Sequence, residues 1–152
     1  MDVRLRLTGV KEIDAVLKGL PLQLNHKVLQ SAHAAAAKPL VNAEKLLAPE
    51  GPTGNLVDSI GVVKVPISRA DSIGQIQVGP RRGRYKGNAA HLVEYGTVTR
   101  KNKKGANRGK MTAKPFAGPA WQQTQGVVQG GIRNQIGIQL SAYMRRMIKR
   151  HG

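Results

Sequence analysis

The side chains able to make or break bonds are sparse in this chain and scattered along it. Its four histidines, His26, His33, His91 and His151, share no neighbourhood in the sequence, and cysteine is absent. Nucleophilic hydrolysis needs a serine or cysteine beside a histidine and an orienting acid, and no Gly-x-Ser-x-Gly elbow occurs. His26 and His33 could share one helix face, and His91 and Glu94 could be neighbours, but neither set supplies three metal ligands at a recognised spacing. The plain readings are surface histidines on a helix and a local His91–Glu94 hydrogen bond. The run Gly105-Ala106-Asn107-Arg108-Gly109-Lys110-Met111 has three residues between its glycines, where a phosphate-binding loop has about four, and Met111 stands in place of the Ser or Thr. These patterns point to no catalytic, cofactor-binding or metal-binding residues, and so to a protein that is not an enzyme.

Charge is where the chemistry lies. The net charge is +17, a field that attracts nucleic acid, an acidic membrane face or an acidic protein. Between Arg81 and Lys114 there are eleven Lys and Arg and one acid, Glu94, and no acid follows Glu94. The candidate contact residues are Arg81, Arg82, Arg84 and Lys86 in one loop, and Arg100, Lys101, Lys103, Lys104, Arg108 and Lys110 in a second. Cations on a loop suit phosphate neutralisation without base readout. They equally suit an acidic neighbouring subunit, and the two readings are compatible. Platforms for stacking single strands are nearly missing, since aromatics make up 3% of the chain.

A chain of 152 residues, 40% of them hydrophobic, suits one domain with a real core. Few aromatics leave that core to Leu, Val, Ile and Ala, so modest stability and a gain from oligomerisation are expected. The absence of cysteine excludes disulfides and thiolate metal sites. No apolar run approaches the roughly 20 residues that span a bilayer, so no membrane partner is expected.

The elements that must carry these residues follow from periodicity. Residues 2–8 alternate and predict a strand rather than a signal peptide. Val10, Ile13, Val16, Leu17 and Leu20 share a helix face. A long helix is predicted from about Leu22 to Leu47, kinked at Pro39, with Ala34-Ala35-Ala36-Ala37 permitting close approach by another element. Ala48 to Asn55, rich in Pro and Gly, is a loop. Leu56–Val65 and Ile73–Val78 read as strands joined by a turn at Ser68–Ser72, and Ala89–Tyr95 as a third strand or a short helix stopped by Gly96. Residues 98–112 should be a flexible basic loop. A helix from Pro115 onward carries Trp121, Val128, Ile132, Ile136, Leu140, Tyr143 and Met147 at helical spacing and ends in a basic tail at 145–152. The fold class is α+β: a small antiparallel sheet packed against a long N-terminal helix and a C-terminal helix.

Four short motifs occur in order. They are Ala48-Pro49 with Thr53-Gly54-Asn55-Leu56; Val78-Gly79-Pro80; His91, Glu94, Tyr95, Gly96 and Thr97; and Ala113-Lys114-Pro115-Phe116 with Pro119-Ala120 and Trp121. This series, over about residues 10 to 125, resembles the gene-product-ten-like family of neck and tail-completion proteins of lambdoid siphophages. The long basic insertion between Thr97 and Met111 departs from the family pattern. The resemblance implies a single head–tail joining domain over 1–152 and a structural subunit without enzymatic activity. It implies a homo-oligomeric ring, hexameric or dodecameric, at the head–tail junction of the virion. The implied neighbours are the head connector or adaptor and the tail tube, with possible contact with packaged DNA, after assembly in the host cytoplasm. The alternative is a non-specific nucleic-acid-binding protein. Phe116 and Trp121 are the largest apolar anchors available; the plain reading is that both are core.

Overall fold

A computed structural model describes residues 10–151; the strand expected over 2–8 lies outside them. The described elements are α1 (Val10–Gly19), α2 (Leu22–Ala36), α3 (Lys38–Leu47), α4 (Asn55–Ser59), β1 (Ile60–Lys64), β2 (Ile76–Pro80), α5 (Ala90–Tyr95) and α6 (Ala117–His151), with short 3-10 turns between β1 and α5. The class is α+β. β1 and β2 pair as a two-stranded sheet. Val65 N–H donates to Gln75 O (3.3 Å) and Arg81 N–H to Ser59 O (3.0 Å), the pairing of an antiparallel ladder.

The chain divides into two compact units. The first holds the chain through Lys38, Val63–Gln77 and the chain from Gly126; the second holds Pro39–Val62 and Val78–Gln125.

In the first unit, Ile13, Val28 and Leu140 are buried together, with Val16, Leu17, Leu20, Ile136 and Tyr143 packed around them. The face predicted for α1 is therefore its core face. Ala32 and Ala36 on α2 are also buried. A Cβ added at Gly131 of α6 would lie 4.0 Å from the Ala36 Cβ, so small residues on both helices allow the close approach expected of the alanine run.

The two histidines of α2 correct the reading of them as surface residues. His26 is 4% exposed. Its Nδ1 accepts a hydrogen bond from Gly74 N–H (3.0 Å), which leaves Nε2–H to donate to Val65 O (2.9 Å). Gln30 Nε2 donates to Val65 O (2.6 Å) and Gln75 O (2.9 Å), and His33 Nδ1 donates to Gly74 O (2.8 Å). One polar stripe of α2 thus satisfies the backbone of the β1–β2 turn, which would otherwise be buried without partners. Gly74 has φ +78°, and a Cβ there would stand 2.4 Å from Leu29 Cβ; only glycine fits.

In the second unit, Ala48, Ile60 and Phe116 are buried, with Val41, Leu56, Val57, Ala90, Val93 and Ala117 around them. Leu56 and its neighbour Val57 face one core. A strand would send them to opposite faces, so Asn55–Ser59 is a turn of helix and β1 starts only at Ile60. That corrects the strand expected from Leu56. Likewise β2 begins at Ile76, because Gly74 turns the chain and leaves Ile73 44% exposed. The break in the long N-terminal helix falls at Ala37, two residues ahead of Pro39. Pro39 sits in the first turn of α3, where a missing N–H costs nothing.

Candidate functional site

Three of the sequence motifs meet in the second unit, and Glu94 joins two of them. Of the two readings of Ala89–Tyr95, a third strand or a short helix, the structure takes the helix, α5 at Ala90–Tyr95. α5 stops at Gly96, whose φ of +71° and ψ of −170° lie in a region open essentially to glycine alone. A Cβ at Gly96 would meet Met111 O at 2.7 Å and Ala113 N at 2.8 Å. The returning chain is pinned there: Thr97 N–H donates to Met111 O (2.9 Å), Met111 N–H to Thr97 Oγ1 (2.9 Å) and Lys114 N–H to Val93 O (2.8 Å).

Beyond that seam the Glu94 carboxylate takes the first amides of α6. Oε2 accepts from Phe116 N–H (2.8 Å) and Ala117 N–H (3.1 Å), and Oε1 from Gly118 N–H (3.2 Å). A helix leaves its first amide groups unpaired and carries a partial positive charge there, so one carboxylate from a distant helix caps α6 and neutralises its end. Partial burial pushes the Glu94 carboxyl up, but the three backbone N–H donors together outweigh it and hold the group below its ordinary value. Both oxygens are committed to α6, and His91 is exposed. The expected His91–Glu94 hydrogen bond is therefore replaced by the cap.

Phe116, at the start of α6, is 1% exposed, whereas Trp121 is 40% exposed. The two anchors separate: Phe116 closes the core and Trp121 stands at the surface. Tyr95 is 81% exposed at the foot of the seam. An open pocket of about 240 Å³ lies between the Pro49–Leu56 loop and the seam, lined by Pro49, Glu50, Gly51, Thr53, Asn55, Leu56, Val93, Met111 and Lys114. Gly54 begins α4 in the left-handed region, at φ +63°. In the same unit Glu44 of α3 is 3% exposed, with Oε2 lacking any hydrogen-bond partner. Its carboxyl is pushed up to about 7, first by desolvation and then by the negative charge of Glu94.

The basic residues fall into two kinds. Arg81 is structural: its Nε donates to Ser59 O (2.9 Å), its Nη2 to Asp58 O (3.4 Å), and its guanidinium lies 3.8 Å from the Tyr85 ring centroid. Arg84 also stacks on Tyr85, at 4.8 Å, and donates to the Tyr85 hydroxyl (2.6 Å). Gly61 and Gly87 leave the room, since a Cβ on Gly61 would come 2.8 Å from the guanidinium carbon and one on Gly87 would come 2.5 Å from Arg81 O. Arg82 and Lys86 are exposed beside this latch.

The second cluster rides on a hairpin. Where the sequence shows no periodicity, side chains and turns supply the order. Arg100 N–H donates to Gly109 O (3.0 Å), Arg108 N–H to Arg100 O (2.6 Å) and Asn102 N–H to Ala106 O (3.0 Å), and Lys101 bridges to Asn107. Asn102 Oδ1 closes the tip by accepting from Lys104 N–H (3.0 Å) and Ala106 N–H (2.8 Å). Asn102 and Asn107, flanked by Gly105 and Gly109 at positive φ, were the signal for this turn. Arg100, Lys101, Lys103, Lys104, Arg108 and Lys110 are all exposed. The one ion pair among the described residues is Lys18–Asp14, so none of the six is neutralised within the described chain. Among the described residues no group of three His, Cys, Asp or Glu could hold a metal ion, and no helix is long and apolar enough to cross a membrane.

In this unit motifs distant in sequence are joined through backbone and Glu94 hydrogen bonds, and exposed cations stand on the hairpin. Residues 11–96 match the HK97-gp10-like family, described as "Bacteriophage HK97-gp10, putative tail-component", and the chain belongs to that family of phage tail components. No curated protein and no solved structure matches the chain. The family match ends at Gly96, ahead of the basic hairpin and α6.

Proposed function

We propose that the chain is a non-enzymatic virion protein that forms a ring at the head–tail junction. There it joins the tail tube to the head connector or adaptor around the DNA channel, as a neck, tail-completion or tail-terminator subunit. Membership of a tail-component family supports the virion role. The observation that carries the reading is the seam around Glu94, where motifs distant in sequence converge through hydrogen bonds and leave Tyr95, Val98 and Trp121 exposed. Large apolar side chains held at the surface by a hydrogen-bonded frame suit contact with other subunits. A closed ring repeats one heterologous interface by rotation, and hexamers or dodecamers would fit it. Assembly would take place in the host cytoplasm before incorporation into the virion.

The second reading, a non-specific nucleic-acid-binding protein, is favoured by one feature: six exposed, unneutralised cations on one hairpin. Size-exclusion chromatography with light scattering separates the two. The ring reading expects closed oligomers, alone or on addition of tail tubes. A monomer or dimer that binds only DNA would replace it with the second.

A further inference from the structure

We infer that the Thr97–Met111 hairpin is an arm for duplex DNA, gripping the phosphate backbone without reading sequence. The inference deepens the proposed function and rests on it for where the duplex would come from, the DNA passing through the junction.

Four observations carry it. First, Arg100, Lys101, Lys103, Lys104, Arg108 and Lys110 are exposed, and the hairpin contains no acid. Second, the backbone is already folded by the Arg100–Gly109 and Asn102–Ala106 hydrogen bonds and by the Asn102 side chain. Binding therefore pays less to order the arm than it would for a disordered tail. Third, the arm offers no aromatic side chain and only Val98 and Met111 as large apolar ones. The arm has Arg100 and Arg108 but no aromatic anchor, so a protein partner would find charge here but little apolar surface to bury. Fourth, a lone exposed tyrosine, Tyr95, stands at its base, too little to stack successive bases of a single strand. Phosphates spaced along a duplex need none of these missing parts, only positive charge at intervals. Copies of a chain with net charge +17 also repel one another, so a polyanion beside the arms favours their assembly.

The magnitude follows from counterion release. Each phosphate contact contributes about −0.9 to the slope of log affinity against log salt, so six contacts give about −5 per chain, and doubling the salt weakens binding roughly 40-fold. The experiment uses the full chain, a short mixed-sequence duplex, the matching single strand and poly-L-glutamate as a stand-in for an acidic protein, read by fluorescence anisotropy over a salt series. A variant carrying Arg100→Gln, Lys101→Gln, Lys103→Gln, Lys104→Gln, Arg108→Gln and Lys110→Gln is compared with a control neutralising Lys11, Lys27, Lys38, Lys45, Arg69 and Arg133, all exposed and remote in sequence from the hairpin. Circular dichroism checks that both fold. The expected result is a fall of about five in the duplex slope for the hairpin variant, a much smaller change for the control, and weaker binding to poly-L-glutamate than to duplex. Equal losses in the two variants, or a hairpin variant that keeps its duplex affinity while losing poly-L-glutamate, would overturn the inference. Light scattering on the same samples keeps the two claims apart. A wild-type chain that stays solitary yet shows the hairpin-dependent slope ends the ring reading and upholds the DNA arm.

Discussion

Replacing Glu94 tests the seam at its most exposed logical point. In Glu94→Ala, Phe116 N–H and Ala117 N–H lose their acceptor in a part-buried setting, while Gly118 N–H is exposed and can turn to water. Loss of a helix N-cap, up to about 2 kcal/mol, together with the charge at the helix end, up to about 1 kcal/mol, amounts to about 2–3 kcal/mol. Relief of the repulsion on Glu44 offsets a part of that. For a chain of this length, each kcal/mol moves the melting temperature by about 2–4 °C, so Glu94→Ala should melt roughly 5–10 °C below wild type at neutral pH. Glu94→Gln keeps an acceptor oxygen but no charge and should lose about 1 kcal/mol. The pH dependence has a definite sign. The Glu94 carboxyl lies below its ordinary 4.5 in the folded chain, so its contribution is complete above that value and is lost as pH falls through the folded value. The gap between wild type and Glu94→Ala should therefore close in acid. Differential scanning calorimetry across pH reads this directly. A Glu94→Ala protein that melts within about 1 °C of wild type at pH 7 would refute the assignment of Glu94 as the cap of α6.

Other substitutions test other joints. Gly96→Ala would force a Cβ against Met111 O and Ala113 N in a glycine-only conformation, and urea unfolding should show a loss of about 3 kcal/mol or more. Glu44 runs opposite to Glu94 in pH: its folded value near 7 exceeds its ordinary 4.5, so the protonated form stabilises the fold below 4.5 and that benefit disappears as pH rises through 7. Glu44→Gln should thus gain up to about 3 kcal/mol over wild type at pH 8 and little at pH 4.5 by the same unfolding assay. Gly74→Ala, pressed on Leu29 Cβ, should break the α2 contact with the β1–β2 turn and speed amide exchange at Val65 and Gln75.

Helix positions were legible in the sequence wherever one face meets one core. Ile13, Val16, Leu17 and Leu20 on α1, and Ile136, Leu140 and Tyr143 on α6, recur at helical spacing and pack together. Pro39 announced a break but not its place, because the proline ring disturbs the preceding turn rather than its own residue. The strand boundaries were hidden. Leu56 and Val57 are good strand residues, yet the left-handed Gly54 and a core contacted by both of them hold the segment in a helical turn. The buried role of His26 could not be read from spacing, since its partners are backbone groups 39 and 48 residues away. The motifs around Glu94 were visible as a set. Their joining by a single carboxylate was not, because a cap supplied from another helix leaves no local signature of the kind a capping box does. Trp121 misled by size: a large apolar residue at helical spacing reads as core, but its position on α6 is 40% exposed.

The central claim is that this member of a phage tail-component family works by contact, as repeated copies around the path of the DNA. Cryo-electron microscopy of the virion that carries it, with the chain traced into density, tests that most directly. The account predicts a closed ring of this fold between head connector and tail tube, with the Thr97–Met111 hairpins directed at the DNA. Virions whose junction is complete without this chain, from a preparation in which the purified protein stays monomeric, would contradict it.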